Sequence, residues 1–152
     1  MTEHYLCVYP NGELRWIPLE RVVRYDAFYD GEETILLSDL YPVIGCNCVE
    51  QVHTKIPGIV MMVDECGKIK DPPQVLNPLA SRFYAGTPFG DPIVGPAVFM
   101  ALKRVEPLME LDNYPLSPAQ VDLVEAVLGK PLPPMPLPDP MPSDVTEVDE
   151  GG

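Results

Sequence analysis

Residues 5–17 have the sequence YLCVYPNGELRWI, and this stretch decides how the fold begins. Two strand-like segments, Tyr5–Tyr9 and Glu13–Ile17, flank the dipeptide Asn11-Gly12. Asn-Gly supplies positive φ at both centres of a type I′ turn, which matches the twist of paired antiparallel strands. The sequence therefore predicts an N-terminal β-hairpin. Pro18 is expected to end its second strand, because proline cannot donate a ladder hydrogen bond.

Short helices and strands are predicted after the hairpin. Residues 30–33, Asp-Gly-Glu-Glu, indicate an exposed acidic loop. Apolar residues in Leu36–Ile44 have a helix-like spacing, with Gly45 as the stop and a proline that keeps the helix short. Cys48, Glu50 and Val52 alternate with Val49, Gln51 and His53, and Ile59–Val63 is continuously apolar. These two segments are predicted to be strands, the second one central in a sheet.

The second half of the chain is rich in proline and glycine, which interrupt or end helices and strands. Prolines exclude regular structure over 71–78, and residues 79–84 suit one or two helical turns. Ile93–Leu102 is predicted to be the last strand, with Gly95-Pro96 indicating an edge position or a bulge. Residues 117–120, Ser-Pro-Ala-Gln, combine a capping box with a first-turn proline. They predict a helix from about 118 to 128 that Gly129 ends.

These elements predict an α+β fold for a single domain over residues 1–129. Its parts are a small, mostly antiparallel sheet with the N-terminal hairpin and two or three short helices. From Lys130 the chain continues PLPPMPLPDPMPSDVTEVDEGG, with seven prolines and five acids. Residues 130–152 are therefore expected to be a disordered, proline-rich acidic tail, and the terminal Gly151-Gly152 is assigned no role.

The net charge restricts the classes of partner. The chain carries −13, of which residues 130–152 contribute −4, so the predicted domain itself carries −9. Such a charge repels phosphate backbones and anionic membrane surfaces, which argues against direct binding to nucleic acid or membranes. No secretory leader is apparent at the N-terminus, so a cytoplasmic location is expected, with the four cysteines present as thiols.

Four segments follow one another in a fixed order: Ile59–Val63, Asp64-Glu65-Cys66-Gly67-Lys68, Asn77-Pro78-Leu79-Ala80 and residues 91–98 with the sequence DPIVGPAV. In this order they resemble a family of small proteins carried by phages, plasmids and other mobile elements, a domain of unknown function. The resemblance covers roughly residues 5–104, while Cys46, Cys48 and residues 107–152 depart from the family pattern. It implies a phage or mobile-element accessory protein, and it implies no activity.

Thiols and imidazoles are the candidate metal ligands or nucleophiles. They are Cys7, Cys46, Cys48, Cys66, His4 and His53. Paired Cys-x-x-Cys motifs of structural zinc sites are absent, so structural thiols are expected rather than a metal site. A cysteine paired with His53 could act as a nucleophile, but an acidic protein opposes the required thiolate. The sequence therefore predicts a protein that is not an enzyme and holds no cofactor.

Four polar residues are the candidate binding groups: Glu65, Asn77, Arg82 and Asp91. They lie in predicted connections between strands, where a scaffold commonly presents functional side chains. In the alternative interpretation, Asn77 caps the short helix and Asp91 orders a turn.

Two functions of different classes are compatible with these observations. The first is a non-enzymatic accessory protein that binds a host factor through an acidic surface. The alternative is a small-molecule module that binds or sequesters a nucleotide signal with Asn77, Arg82 and neighbouring loop groups. The oligomeric state is left open.

Overall fold

The computed structural model describes residues 2–25, 30–84, 92–105 and 110–136. It is a small mixed fold with a curled antiparallel sheet and a few short helices. The strands are β1 (Thr2–Val8), β2 (Leu14–Tyr25), β3 (Asp30–Ile35), β4 (Val49–His53), β5 (Ile59–Asp64), β6 (Ala97–Val105) and β7 (Glu110–Tyr114). The helices are α1 (Tyr41–Ile44), α2 (Pro78–Ser81) and α3 (Pro118–Leu128), with a 3-10 turn, Leu37–Leu40, before α1.

The strands lie in the order β3-β2-β1-β6-β5-β4, and β7 pairs with the far part of β6. Both faces of the sheet are buried. One apolar cluster fills the curl beneath α1, and the other lies between the sheet and helices α2 and α3. Since β5 contributes to both clusters, every one of its residues is buried. Its central position confirms the prediction from its unbroken apolar sequence.

The N-terminal hairpin is confirmed, but its turn differs from the predicted one. Tyr9 donates to the carbonyl of Glu13 at 2.9 Å, and Gly12 donates to the carbonyl of Tyr9 at 2.9 Å. Gly12, at φ +89°, is thus the fourth residue of a turn whose second residue is Pro10. Proline fits that position, and glycine tolerates the left-handed conformation that closes a three-residue hairpin loop.

Pro18 does not end β2, which continues to Tyr25. Hydrogen-bonded pairs alternate with non-bonded ones along an antiparallel ladder, starting from Tyr9 and Glu13. Pro18 lies opposite His4 in a non-bonded pair, so its nitrogen faces away from β1. β3 begins to pair with β2 only at Arg21, so proline deprives no neighbour of a donor.

Three other strand predictions need correction. Residues 30–33, predicted to be a loop, belong to β3 and pair with β2. β6 is a central strand rather than an edge, with β5 on one side and β1 and β7 on the other. Gly95-Pro96 precedes this strand instead of interrupting it, and β7 follows as a further strand.

The helices follow their local signals. Gly45 ends α1 in the left-handed conformation at φ +80°. At α3 the whole predicted capping box is present, with Ser117 and Gln120 each accepting from the other's backbone N–H. Gly129 ends α3 at φ +76°.

The start of the predicted tail lies against the body, which corrects the boundary placed at Lys130. Lys130 Nζ donates to the carbonyl of Gly12 at 3.1 Å. The indole of Trp16 donates to the carbonyl of Pro133 at 2.8 Å, and Leu132 packs against the apolar cluster under α3. Residues 137–152, with the rest of that prediction, lie outside the described residues.

Candidate functional site

An open groove lies where β4 and β5 meet the segment before β6. Its volume is about 260 Å³. Its polar lining consists of Glu50, Asp64, Glu65 and Lys68. Its apolar lining consists of Val52, Val63, Ile69, Tyr84 and residues 92–94. The groove therefore combines an apolar floor with a predominantly acidic rim.

Asp64 anchors the loop that forms one wall of this groove. Its carboxylate is buried, forms an ion pair with Lys70, and accepts hydrogen bonds from Gln74 Nε2 and the Cys66 N–H, both at 2.9 Å. Burial alone would raise the pKa of Asp64. The hydrogen bonds from Gln74, Lys70 and Cys66 outweigh that effect and hold the pKa below its ordinary value. Asp64 therefore holds the wall and remains charged.

Two glycines allow the wall to approach the rest of the protein closely. A β-carbon on Gly67 would lie 2.9 Å from Val94 Cγ2. A β-carbon on Gly95, which has φ +75°, would lie 2.8 Å from the side chain of Gln74. Gln74 also donates to the carbonyl of Ile44 at 3.0 Å, so it ties the wall to the end of α1. Only glycine fits both positions without displacing a neighbour.

Glu65 is an exposed carboxylate on the rim of the groove, and it lies next to the exposed thiol of Cys48. Cys48 Sγ donates to Glu65 Oε1 at 3.0 Å, and the Glu65 N–H donates to the carbonyl of Cys48 at 3.1 Å. The hydrogen bond to Glu65, followed by partial desolvation and the negative charge of Glu65, raises the pKa of the Cys48 thiol. Glu50 is also exposed on this rim. The arrangement favours a positively charged ligand over a nucleophilic role for Cys48.

The four predicted binding residues do not form one site. Glu65 lines the groove, whereas Asp91 lies outside the described residues. Asn77 is fully buried; it caps α2, as the alternative interpretation predicted, and donates to the carbonyls of Val8 and Gly95. Arg82 donates to the carbonyl of Leu128 at 2.9 Å, at the end of α3. Asn77 is thus committed to backbone groups within the fold, whereas Arg82 remains exposed and uses one nitrogen for its contact with α3.

A cluster centred on Arg21 was not predicted from the sequence. This buried guanidinium donates to Glu3, the Tyr5 hydroxyl and the carbonyls of Glu33 and Asn113, and pairs with Asp112. It also stacks over the Tyr114 ring, with 4.3 Å between Cζ and the ring centroid. Burial opposes the charge of Arg21, but the bond to Glu3 and the nearby acidic groups hold its pKa above the ordinary value.

All five N–H donors of Arg21 therefore have acceptors, and none is left for a ligand. The cluster joins β1, β2 and β3 to β7, so it closes the curl of the sheet. One sequence signal was available: Ile17 and Leu19 alternate inward along β2, and Arg21 occupies the next inward position.

The predicted thiol and histidine candidates do not assemble a metal site. Within the described residues, no group of three or more His, Cys, Asp or Glu side chains could hold a metal ion. Cys7 is buried, and desolvation is the main cause that raises its pKa to about 12. His53 is exposed at the end of β4, and no contact with a thiol is recorded for it in the described ranges.

Comparison with known proteins adds no relationship. No protein-family model matches the chain, and no curated protein and no solved structure is significantly similar to it. The resemblance to the mobile-element family stays a prediction. In the part of the chain that the structure describes, no helix has both the length and the apolar character needed to cross a membrane.

Proposed function

We propose that this chain is a non-enzymatic accessory protein of a phage or another mobile element. It binds a basic host protein through its acidic surface, in the host cytoplasm. The net charge of −13 supports this proposal, because an acidic protein attracts basic partners and repels nucleic acid. The resemblance to the mobile-element family supports the proposed origin of the protein. The exposed carboxylates of the fold support binding through an acidic surface.

The observation that carries the proposal is the excess of acidic over basic side chains, 23 against 10, with many of the carboxylates at the surface. Exposed carboxylates of the described residues include Glu33, Asp39, Glu50, Glu65, Asp71 and Asp122. The buried Arg21 is paired with Glu3 and Asp112 inside the fold and does not offset this surface charge locally. A basic surface therefore gains electrostatic energy from approaching the protein.

The test is affinity purification from host extract, with proteins identified by mass spectrometry. The full chain is compared with a truncation after Pro136, because cutting at Gly129 would remove contacts with Trp16 and the core. Both chains should retain the same basic protein at about 50 mM salt and release most of it at about 500 mM. Retention of no protein, or retention that salt leaves unchanged, contradicts the proposal.

The groove supports a second candidate, a small-molecule binding module. Its volume of about 260 Å³ is close to the lower end of ligand pockets. A nucleotide is the less favoured ligand, because Asn77 is buried in the fold, Arg82 does not line the groove, and acids outnumber the single Lys68 on the lining. Melting temperatures across panels of nucleotides and of small amines separate the options: a shift with nucleotides alone would favour sequestration of a nucleotide signal.

A further inference from the structure

The outer edge of β4 presents backbone groups for pairing. β4 is the last strand in the sheet order, with β5 on one side. Cys48 and Thr54 bond towards β5, since Cys48 accepts from Glu65 and Thr54 donates to Ile59. By the alternation of an antiparallel ladder, Val49 and Gln51 direct their N–H and C=O groups outward. No backbone partner for these groups occurs among residues 2–25, 30–84, 92–105 and 110–136.

The chain itself shows that this edge accepts an antiparallel partner. Just beyond β4, the Lys55 N–H donates to the carbonyl of Phe83 at 2.8 Å, and Thr54 forms a β-bridge with Tyr84. Among the described residues, this short pairing occupies the C-terminal end of the edge. The part from Val49 to Gln51 continues in the same line with its groups directed outward.

β4 carries neither proline nor lysine nor a bulge, three of the devices that protect an exposed edge. Its sequence is Val-Glu-Gln-Val-His, without lysine or proline, and its register with β5 is regular. The opposite end of the sheet differs, since Pro18 lies where β2 has no outer neighbour and the β2–β3 register shifts at Arg24 and Tyr25. Proline, lysine and bulges discourage strand addition, so their absence from β4 leaves it competent to pair.

The groove lies directly beside this edge. Glu50 and Val52 alternate with the outward-bonding residues of β4 and line the groove. A strand added to β4 would place alternate side chains on the same face, above the groove. The apolar floor suits the aliphatic stem of lysine or arginine, and the carboxylates of Glu50 and Glu65 suit its charged end. A second copy of this chain is disfavoured, because its own Glu50 would meet these acids.

The geometry points to β4 as a strand-addition site for an extended basic segment of the partner. The segment's backbone pairs with Val49 and Gln51, and a lysine or arginine side chain enters the groove between Glu50 and Glu65. Main-chain bonds supply affinity and the groove supplies selectivity for positive charge. This inference rests on the proposed function and specifies where the partner binds.

The test uses the full chain and a peptide of about nine residues that alternates lysine with threonine. Two matched peptides accompany it: one with glutamate in place of lysine, and one with N-methyl groups on the alternate amides that would face β4. Affinity is measured by calorimetry at low salt. The unmodified peptide should bind, N-methylation should weaken binding at least about tenfold, and the glutamate peptide should not bind.

Two protein variants locate the site. Gln51→Pro removes one outward N–H, and proline is tolerated on an edge strand, so affinity should fall about tenfold. Glu50→Gln with Glu65→Gln should weaken the lysine peptide by a similar factor and remove most of its salt dependence. If Gln51→Pro does not fold, which its circular dichroism would show, the N-methylated peptide still tests the same bond.

The outcomes separate this inference from the proposed function. Equal affinity for the N-methylated and unmodified peptides overturns strand addition and leaves binding to the acidic surface intact. Dimerisation of the free chain that Gln51→Pro abolishes overturns the choice of occupant, since a second copy then fills the edge. Failure of every basic peptide, with no salt-sensitive host protein recovered from extract, overturns the inference and the proposed function together.

Discussion

The two ends of the sheet differ in whether their charged side chains and backbone groups have partners inside the protein. At the end formed by β2, β3 and β7, Arg21 is buried and all its donors have acceptors inside the protein. At the β4 end, Glu50 and Glu65 are exposed and the outward groups of Val49 and Gln51 have no backbone partner in the described ranges. One end is closed by its own side chains, and the other is open.

This difference separates the charges that stabilise the fold from those that the proposed partner would meet. A charge surrounded by internal partners contributes to folding, and its removal leaves those partners unsatisfied. An exposed carboxylate contributes little to folding, yet it shapes the electrostatic field around the protein. Substitutions of buried charges, Arg21 at the closed end and Asp64 at the open end, should therefore change the free energy of unfolding. Substitutions of exposed carboxylates at the open end should change affinity for the proposed partner.

Arg21→Met should give the largest effect. It leaves the carboxylates of Glu3 and Asp112 without their buried cation, so the free energy of unfolding should fall by about 3–5 kcal/mol. Urea denaturation followed by circular dichroism measures the change. Arg21→Lys is the matched control, which retains the charge without the planar fork and should lose less. A loss below about 1 kcal/mol for Arg21→Met would contradict the conclusion that the Arg21 end of the sheet stabilises the fold.

Asp64→Asn should come second, because this buried carboxylate holds the wall of the open end. Loss of its charge weakens the bonds from Lys70, Gln74 and Cys66, and the expected cost is about 1–2 kcal/mol at pH 7. Urea titrations of both proteins at pH 7 and at about pH 3 measure it.

The sign of the pH dependence follows from the lowered pKa of Asp64. A carboxyl whose pKa is lower in the folded protein stabilises it fully above the unfolded value of about 4. That contribution is lost as the pH falls through the folded value. The difference in stability between the natural chain and Asp64→Asn should therefore shrink on acidification. A difference that stays constant or grows would show that Asp64 is not held as the charged form.

Removing residues 130–152 should cost less, about 1 kcal/mol, because it deletes three hydrogen bonds, one of them exposed and two partly buried, and the packing of Leu132. Trp16 is the single tryptophan, so its emission should shift to the red when Pro133 no longer covers it. A truncation after Pro136 is the matched control and should retain the emission of the full chain. Identical spectra for all three proteins would contradict the docking of this segment.

The smallest expected effect is that of Glu65→Gln, whose stability should stay within about 0.5 kcal/mol of the natural chain. Its chemical effect is measurable at Cys48. The hydrogen bond to the Glu65 carboxylate and its negative charge raise the pKa of Cys48, so the substitution should lower this pKa. Alkylation of Cys48 near pH 8, measured by peptide mass spectrometry, should then become faster. Glu50→Gln is the control, and equal rates in both variants would remove Glu65 as the cause.

Features with a local cause were predictable from the sequence. The capping box of Ser117 and Gln120, the stop at Gly129 and the hairpin around Gly12 depend on residues a few positions apart. The positions of β3, β6 and β7 were not predictable in this way, because they depend on pairing between distant segments. Gly95-Pro96 illustrates the limit: the dipeptide marks the start of β6, and the sequence alone did not distinguish a start from an interruption.

The candidate site also combines features with a local cause and features that depend on distant segments of the chain. Helix capping by Asn77 is a local property, and the sequence offered it as an alternative. The carbonyls that Asn77 and Arg82 bind belong to Val8, Gly95 and Leu128, which come from other elements. Glu65 was predicted as a binding residue, but its neighbour Glu50 and the open edge emerge only when β4 is placed at the end of the sheet.

The strand order also determines when the fold can form. β1, the first of the described strands, pairs with β6, and Trp16 reaches Pro133, which lies 117 positions later. Most of the chain must therefore leave the ribosome before the first hairpin can find its neighbours. Until then its apolar faces have no permanent cover, and such long-range pairings are slow to form. The native sheet can therefore be completed only after β6 has been synthesised.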